Sequence, residues 1–290
     1  MDPQSAPTAS TANFGPVGSI YAIANQKGGV GKTTTAINLG ACLAVAERST
    51  LIIDLDPQGN ATSGLGIERA SVQNSVYDVL VNGVPAEETL RRQVHFPYLD
   101  LVPSSRDLVG AEVELVDREK RELVLRSTIE SVRERYEFVL IDCPPSLGLL
   151  TLNALAAADS VLIPIQCEFY ALEGLSQLLN TVRLVQKNLN PGLQIEGVLL
   201  TMYDHRLNLS RQVADEAKEY FGGRVYRSTI PRNVRLAEAP SFGKPIVLYD
   251  ILSAGAQSYL SLAREVMDRT TRGPGDGIPA RAMGGSHVQA

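Results

Sequence analysis

Short apolar runs alternate with longer segments of helical spacing along most of this chain. Six of the runs read as buried strands: Ile20–Asn25, Thr50–Asp54, Leu99–Val102, Phe138–Asp142, Ser160–Ile165 and Ile195–Thr201. Between them the spacing predicts helices over Thr33–Ala46, Leu115–Arg135, Leu147–Ala157, Leu172–Leu189 and Ser210–Phe221. Strands and helices taking turns imply right-handed βαβ units, hence an α/β fold whose mostly parallel sheet is covered by helices on both faces. The stripe Leu172, Leu175, Leu179, Val182, Val185 and Leu189 recurs at helical spacing and reads as a core-facing side. No internal repeat and no Gly/Pro linker interrupts the middle, so residues 18–270 are expected to form a single domain. Residues 1–17, rich in Pro, Ser, Thr, Ala and Gly without a period, read as a disordered tail. Residues 271–290, which include Gly273-Pro274-Gly275-Asp276-Gly277, read the same way.

Ligands of such sheets sit at the carboxyl ends of the strands, and three polar blocks follow strands directly there. The first is Asn25-Gln26-Lys27-Gly28-Gly29-Val30-Gly31-Lys32-Thr33-Thr34-Thr35. A strand, a glycine loop and a helix N-terminus together form an anion cradle, because loop amides and the unpaired amides of the first turn converge on one point. Lys32 can then reach the β- and γ-phosphates, and the Thr33 hydroxyl can ligate Mg²⁺. The pattern departs from the ordinary phosphate loop, G-x-x-x-x-G-K-[ST], which would place Gly where this chain has Gln26, followed by Lys27. Two ammonium groups in one loop repel unless phosphate oxygens neutralise them. Lys27 therefore has two readings, one facing its own nucleotide and one facing a nucleotide held by another subunit.

The second block, Asp54-Leu55-Asp56-Pro57-Gln58-Gly59-Asn60, supplies two acids. Period-two alternation puts Asp54 and Asp56 on the same side of an extended backbone. Beside a triphosphate and Mg²⁺, one acid suits the metal's surroundings and the other the attacking water, whose positioning is most of what phosphoryl transfer asks of a protein. Pro57-Gln58-Gly59 is also a turn signal, in which Asp56 caps the turn. The third block closes the apolar run Phe138-Val139-Leu140-Ile141 on Asp142, a Walker B pattern, and Pro144-Pro145 then turns the chain out of the sheet.

These blocks carry a resemblance. Lys27-Gly28-Gly29-Val30-Gly31-Lys32-Thr33-Thr34 resembles the deviant Walker A box of the ParA/MinD ATPases, and the chain from about 19 to 268 resembles the chromosomal ParA (Soj) branch of these P-loop NTPases. The blocks at 54–60, Ile141-Asp142-Cys143-Pro144-Pro145-Ser146 and Pro231-Arg232-Asn233-Val234-Arg235-Leu236 share it in the same order. The resemblance implies ATP and Mg²⁺ as cofactors, an ATP-dependent homodimer that sandwiches nucleotide, non-specific binding of double-stranded DNA, and slow hydrolysis stimulated by a ParB-type centromere-binding protein. It implies a cytoplasmic, nucleoid-associated protein with no membrane partner. The expected catalytic set is Lys27, Lys32 and Asp56, the second acid of its box. ATP contacts are expected from Lys27, Gly28, Gly29, Val30, Gly31, Lys32, Thr33, Thr34, Pro231 and Asn233. The metal is expected at Thr33, Asp54 and Asp142. Arg206, Arg235 and Lys244 match positions that contact DNA in the chromosomal members.

Composition narrows the alternatives. With 290 residues, 44% hydrophobic and 20% charged, the chain is ordinary for a globular protein with one sizeable core. Its start lacks the basic and apolar regions of a secretory signal, and no apolar run approaches the roughly 20 residues that cross a bilayer. Cys42, Cys143 and Cys167 are isolated and without metal spacing, which fits a reducing compartment and disfavours a bridging Fe–S cluster. The net charge of −5 argues against a nucleic-acid partner until its distribution is considered. Arg224, Arg227, Arg232, Arg235 and Lys244 are opposed locally by Glu238 alone. The competing reading is a solvated surface whose counter-charges come from elsewhere in the fold. Three rival functions stand beside the DNA-segregation ATPase. A membrane-recruited ATPase of the MinD kind needs a basic amphipathic helix at the C-terminus, where this chain has Pro279, Gly284 and Gly285. An enzyme coupling ATP to electron transfer or a small substrate needs a cluster or a pocket for it. A polymerising scaffold is the third.

Overall fold

A computed structural model describes residues 18–168 and 173–272. The expected tail 1–17, residues 273–290 of the other and Leu172 of the apolar stripe lie outside the described residues, whereas Thr271 and Arg272, expected in the tail, are helical. The strands are β1 (Ser19–Ile23), β2 (Thr50–Asp54), β3 (Leu99–Val102), β4 (Phe138–Asp142), β5 (Ser160–Gln166) and β6 (Gln194–Thr201). They form one six-stranded parallel sheet in the order β3-β2-β4-β1-β5-β6. All six expected strands are present, β2, β3 and β4 with the expected ends and β1, β5 and β6 with ends shifted by one or two residues.

The helices are α1 (Lys32–Val45), α2 (Asn60–Gly64), α3 (Ala86–Thr89), α4 (Leu108–Glu114), α5 (Val124–Arg133), α6 (Leu149–Ala157), α7 (Glu173–Asn188), α8 (Asn208–Phe221), α9 (Val234–Glu238), α10 (Ile246–Tyr249) and α11 (Ala254–Arg272). The helix expected over Leu115–Arg135 does not form as one element. Lys120 takes a left-handed conformation (φ 55°), a 3₁₀ turn covers Arg121–Leu123, and the α-helix starts only at Val124. The charged stretch Asp117–Glu122 offers no continuous apolar face to hold a helix against the sheet, so the turn wins.

Alternation along the strands divides the core in two. Ile20, Ala22, Leu51, Ile53, Val139 and Ile141 pack with α5, α6, α7 and α8 on one face. Tyr21, Ile23, Ile52, Phe138 and Leu140 pack with α1 and α11 on the other. Nearly every side of α1 is buried, because it lies between the sheet and α11, whose Tyr259, Leu262, Ala263 and Val266 make the facing stripe. Among the described residues no helix is long and apolar enough to cross a membrane.

Candidate nucleotide site

The site assembles at the carboxyl edge of the central strands. β1 ends at Ile23 and the loop 25–31 crosses to α1, which begins at Lys32. Gly29 (φ 75°) and Gly31 (φ 89°) hold left-handed conformations that a side chain would strain. Two side chains outside the glycine pattern fix this loop. Asn25, itself buried, donates from Nδ2 to the Pro164 carbonyl at 2.7 Å and accepts the Lys27 amide on Oδ1 at 3.0 Å. Thr201, the last residue of β6, donates its hydroxyl to the Val30 carbonyl at 2.9 Å. Sequence reasoning assigned no role to either residue. The only available signal was a polar residue closing an apolar strand.

Lys32 is 7% exposed, and its ammonium donates to the Lys27 carbonyl at 3.2 Å. Burial lowers its pKa, while the carboxylates of Asp142 and Asp56 favour the charged form. Lys27 is half-buried and, among the described residues, makes no ion pair. Gly28 is exposed, with no heavy atom within 4 Å of where a Cβ would stand.

Parallel pairing of β2 with β4 sets Asp54 opposite Asp142 in register. Both are wholly buried, yet they differ in their partners. Asp54 Oδ2 accepts the amide and hydroxyl of Thr62, at 2.7 and 2.6 Å, and Oδ1 faces the Asp56 amide at 3.3 Å. Burial still pushes its carboxyl up to about 6. Among the described residues neither oxygen of Asp142 receives a hydrogen bond of full geometry, the Thr33 hydroxyl being close enough only to act on its charge. Burial and the neighbouring Asp54 charge push Asp142 well above the usual carboxylate range, opposed by the Thr33 hydroxyl and the Lys32 ammonium. A buried carboxylate left unpartnered beside an anion cradle fits a site for a divalent cation. Asp56 lies past the end of β2 and caps the turn that follows, accepting the Gln58 amide on Oδ1 at 2.9 Å.

The remaining expected residues lie beyond the end of β6. Tyr203 pairs with Pro231, which brings the 202–206 loop beside the 230–233 segment. Asn233 caps α9, its Oδ1 accepting the Leu236 amide at 3.3 Å. Arg206 forms a two-pronged pair with Asp204 at 2.9 and 2.7 Å. Arg235 meets Glu238 at 2.9 Å and Asp250 at 3.6 Å, and Arg232 meets Glu168 at 2.9 Å. The fold thus brings Glu168 to Arg232 and Asp250 to Arg235, while Asp204 and Glu238 are neighbours in sequence of the arginines they meet. Lys244 is exposed and, among the described residues, makes no ion pair.

The AAA-domain family model matches residues 18–195. The chain is 59% identical to the chromosome partitioning protein ParA of Myxococcus xanthus, over 88% of this chain and 90% of that one. It is 60% identical to the sporulation initiation inhibitor protein Soj of Bacillus subtilis, over 86% of this chain and 98% of that one. The chain belongs to the ParA/Soj family of chromosome-partitioning ATPases. Among solved structures, one described as cobyrinic acid a,c-diamide synthase from Mycobacterium smegmatis, with bound ADP and magnesium, matches with a TM-score of 0.77 and 37% identity. The match covers 88% of this chain and 96% of that one. The cell division ATPase MinD of Pyrococcus furiosus matches at 0.71 and 25% identity, over 87% and 99%. The ParA and Soj relatives are far more similar in sequence than the synthase, and they set the family.

Proposed function

We propose that this chain binds ATP with Mg²⁺, closes into a nucleotide-sandwich homodimer, and in that form holds double-stranded DNA without reading its sequence. Hydrolysis, slow alone and stimulated by a ParB-type partner, then releases it. The working unit is the single domain 18–270. Lys32 and the loop amides from Gly28 to Thr34 hold the phosphates, and Pro231 and Asn233 lie against the base. Thr33 and Asp142 hold the metal, with Asp54 adding charge behind them. The metal's contribution is to neutralise charge on the phosphates. Asp56 orients the attacking water, and Lys27 faces the nucleotide of the opposite subunit. Arg206, Arg235 and Lys244 meet DNA phosphates, which offer no base identity to read.

The observation that carries this reading is Gly28. Its conformation does not demand glycine and its own chain leaves room for a side chain. A close neighbour outside the chain accounts for glycine at that exposed position, and a second subunit closing over the nucleotide is such a neighbour. The exposed arginine pairs do not oppose DNA binding, because surface pairs of this kind contribute only about 0.2–1 kcal/mol and phosphates can displace them. Light scattering and DNA binding, each with Mg-ATP, Mg-ADP and no nucleotide, test the proposal. A dimer and DNA binding are expected with Mg-ATP alone, and a ParB N-terminal peptide should accelerate hydrolysis. Equal DNA binding in all three conditions rejects it.

A further inference from the structure

Thr62 sits on α2, a five-residue helix that carries none of the phosphate-binding residues, and it is fully buried. Its amide and hydroxyl both donate to Asp54 Oδ2. Its hydroxyl oxygen accepts the Ser104 amide at 2.9 Å. Ser104, just past β3 and equally buried, donates its own hydroxyl to the main-chain carbonyl of Asp56 at 2.8 Å. The Asp56 amide returns to Asp54 Oδ1. The bonds close a ring: Asp54, Thr62, Ser104, Asp56 and back to Asp54. No member of the ring is hydrogen-bonded to the phosphate loop.

We propose that Thr62 and Ser104 are positioning residues for hydrolysis, a role that rests on reading Asp56 as the residue that orients water. Asp56 stands beyond the last residue of β2, where the sheet ladder no longer holds it. A loop carboxylate there would wander by more than the chemistry tolerates, since a displacement of about 1 Å costs on the order of 100-fold in rate. The ring replaces the ladder. It fixes the Asp56 backbone at both its carbonyl and its amide, and it ties that backbone to the rigid ends of β2 and β3. The carboxylate of Asp56 is then free to act while its main chain is held. A role in packing alone would be met equally well by an isosteric valine at position 62, whereas this role requires the hydroxyl, which is donor and acceptor at once.

The test compares Thr62→Val, Thr62→Ser, Ser104→Ala and Asp56→Ala. For each, steady-state ATPase kinetics are set beside the ATP dissociation constant and the ATP-dependent dimer measured by light scattering. Thr62→Val and Ser104→Ala should lose about 10- to 100-fold in kcat. Their ATP affinity should stay within about threefold of the parent and the dimer should persist. Thr62→Ser should keep kcat within about threefold, and the Thr62→Val/Ser104→Ala double variant should lose little more than the worse single one, as members of one ring do. Parental kcat in Ser104→Ala or Thr62→Val overturns the inference, as does ATP affinity that falls in step with kcat, or a Thr62→Ser variant as slow as Thr62→Val. If Thr62→Val does not fold, Ser104→Ala and Thr62→Ser decide by the same criteria. Asp56→Ala separates the two levels. Parental turnover there removes the reading of Asp56 itself, whereas a dead Asp56→Ala beside a fully active Ser104→Ala removes only the ring.

Discussion

Asp142 is a buried carboxylate that, among the described residues, receives no hydrogen bond of full geometry. A buried polar group in that state costs about 1–3 kcal/mol, more when charged. Under the proposed function the missing partner would arrive with the nucleotide and its metal. Asp142→Asn should therefore make the nucleotide-free protein more stable by about 1–3 kcal/mol in urea melts near neutral pH. The same variant should lose the stabilisation that Mg-ATP gives the parent. A variant less stable than the parent without ligand would show that Asp142 is satisfied in a way the structure does not contain. The pH dependence has a definite sign. Asp54 and Asp142 both have folded pKa values above their unfolded ones, so the protonated forms favour folding and that contribution is lost as pH rises. The parent should accordingly lose stability relative to Asp142→Asn as pH rises above the usual carboxylate range. At this scale the motif residues were legible, because Lys32 and Asp142 occupy fixed offsets from a glycine loop and from a strand end. Thr62, Ser104 and Thr201 were not. Each acts through one or two long-range hydrogen bonds, and no local spacing encodes those.

The elements were legible where a run of apolar residues had to be buried and less so where short connections decide the path. The parallel sheet followed from six apolar runs, and the helix stripe at α7 from its period. Residues 108–123 resisted, because charged residues dominate there and a left-handed Lys120 ends what reads as continuous helix. α11 carries a readable stripe of its own, Tyr259, Leu262, Ala263 and Val266, which was not singled out. The contact between the turn after α2 and the 239–244 turn was invisible for a different reason: its closest approach is between backbones. Gly66 (φ 78°) and Gly243 (φ 61°) touch so closely that a Cβ on Gly243 would lie 2.5 Å from the Gly66 Cα. His95 Nε2 spans the junction, lying 3.0 Å from the Leu65 carbonyl and 2.8 Å from that of Gly243. Gly243→Ala should thus destabilise through conformation and collision together. Gly83 offers the control, since it is also left-handed (φ 69°) but has open space around it. Gly83→Ala should cost about 1 kcal/mol from conformation alone. Gly243→Ala should cost at least about 2 kcal/mol more, as overpacking against rigid backbone does. Equal losses in urea denaturation would mean that the junction opens freely.

For the whole molecule the proposed function asks how an acidic protein, with a net charge of −5, would hold a polyanion only when ATP is present. The three residues expected at DNA are exposed, and both arginines already share their charge with carboxylates of the same chain. One subunit therefore offers a few weak phosphate contacts that compete with internal pairs and with salt. Two subunits locked together, as proposed, would offer twice as many on one rigid body, and the second set would engage at the high effective concentration the first one creates. Affinity then depends on dimerisation far more steeply than on any single arginine. Gly28→Val, which meets nothing in its own chain, should bind ATP with near-parental affinity, remain monomeric and lose DNA binding. Arg206→Glu and Arg235→Glu should do the reverse, keeping the ATP-dependent dimer while DNA of any sequence binds at least about tenfold more weakly. Parental binding should itself fall steeply with added salt, the mark of contacts made to phosphate. Mobility shifts on two unrelated duplexes at two salt concentrations, run beside light scattering, distinguish these outcomes. A Gly28→Val monomer that binds DNA as the parent does would place the switch within the subunit, and arginine variants with unchanged affinity would move the DNA to another face.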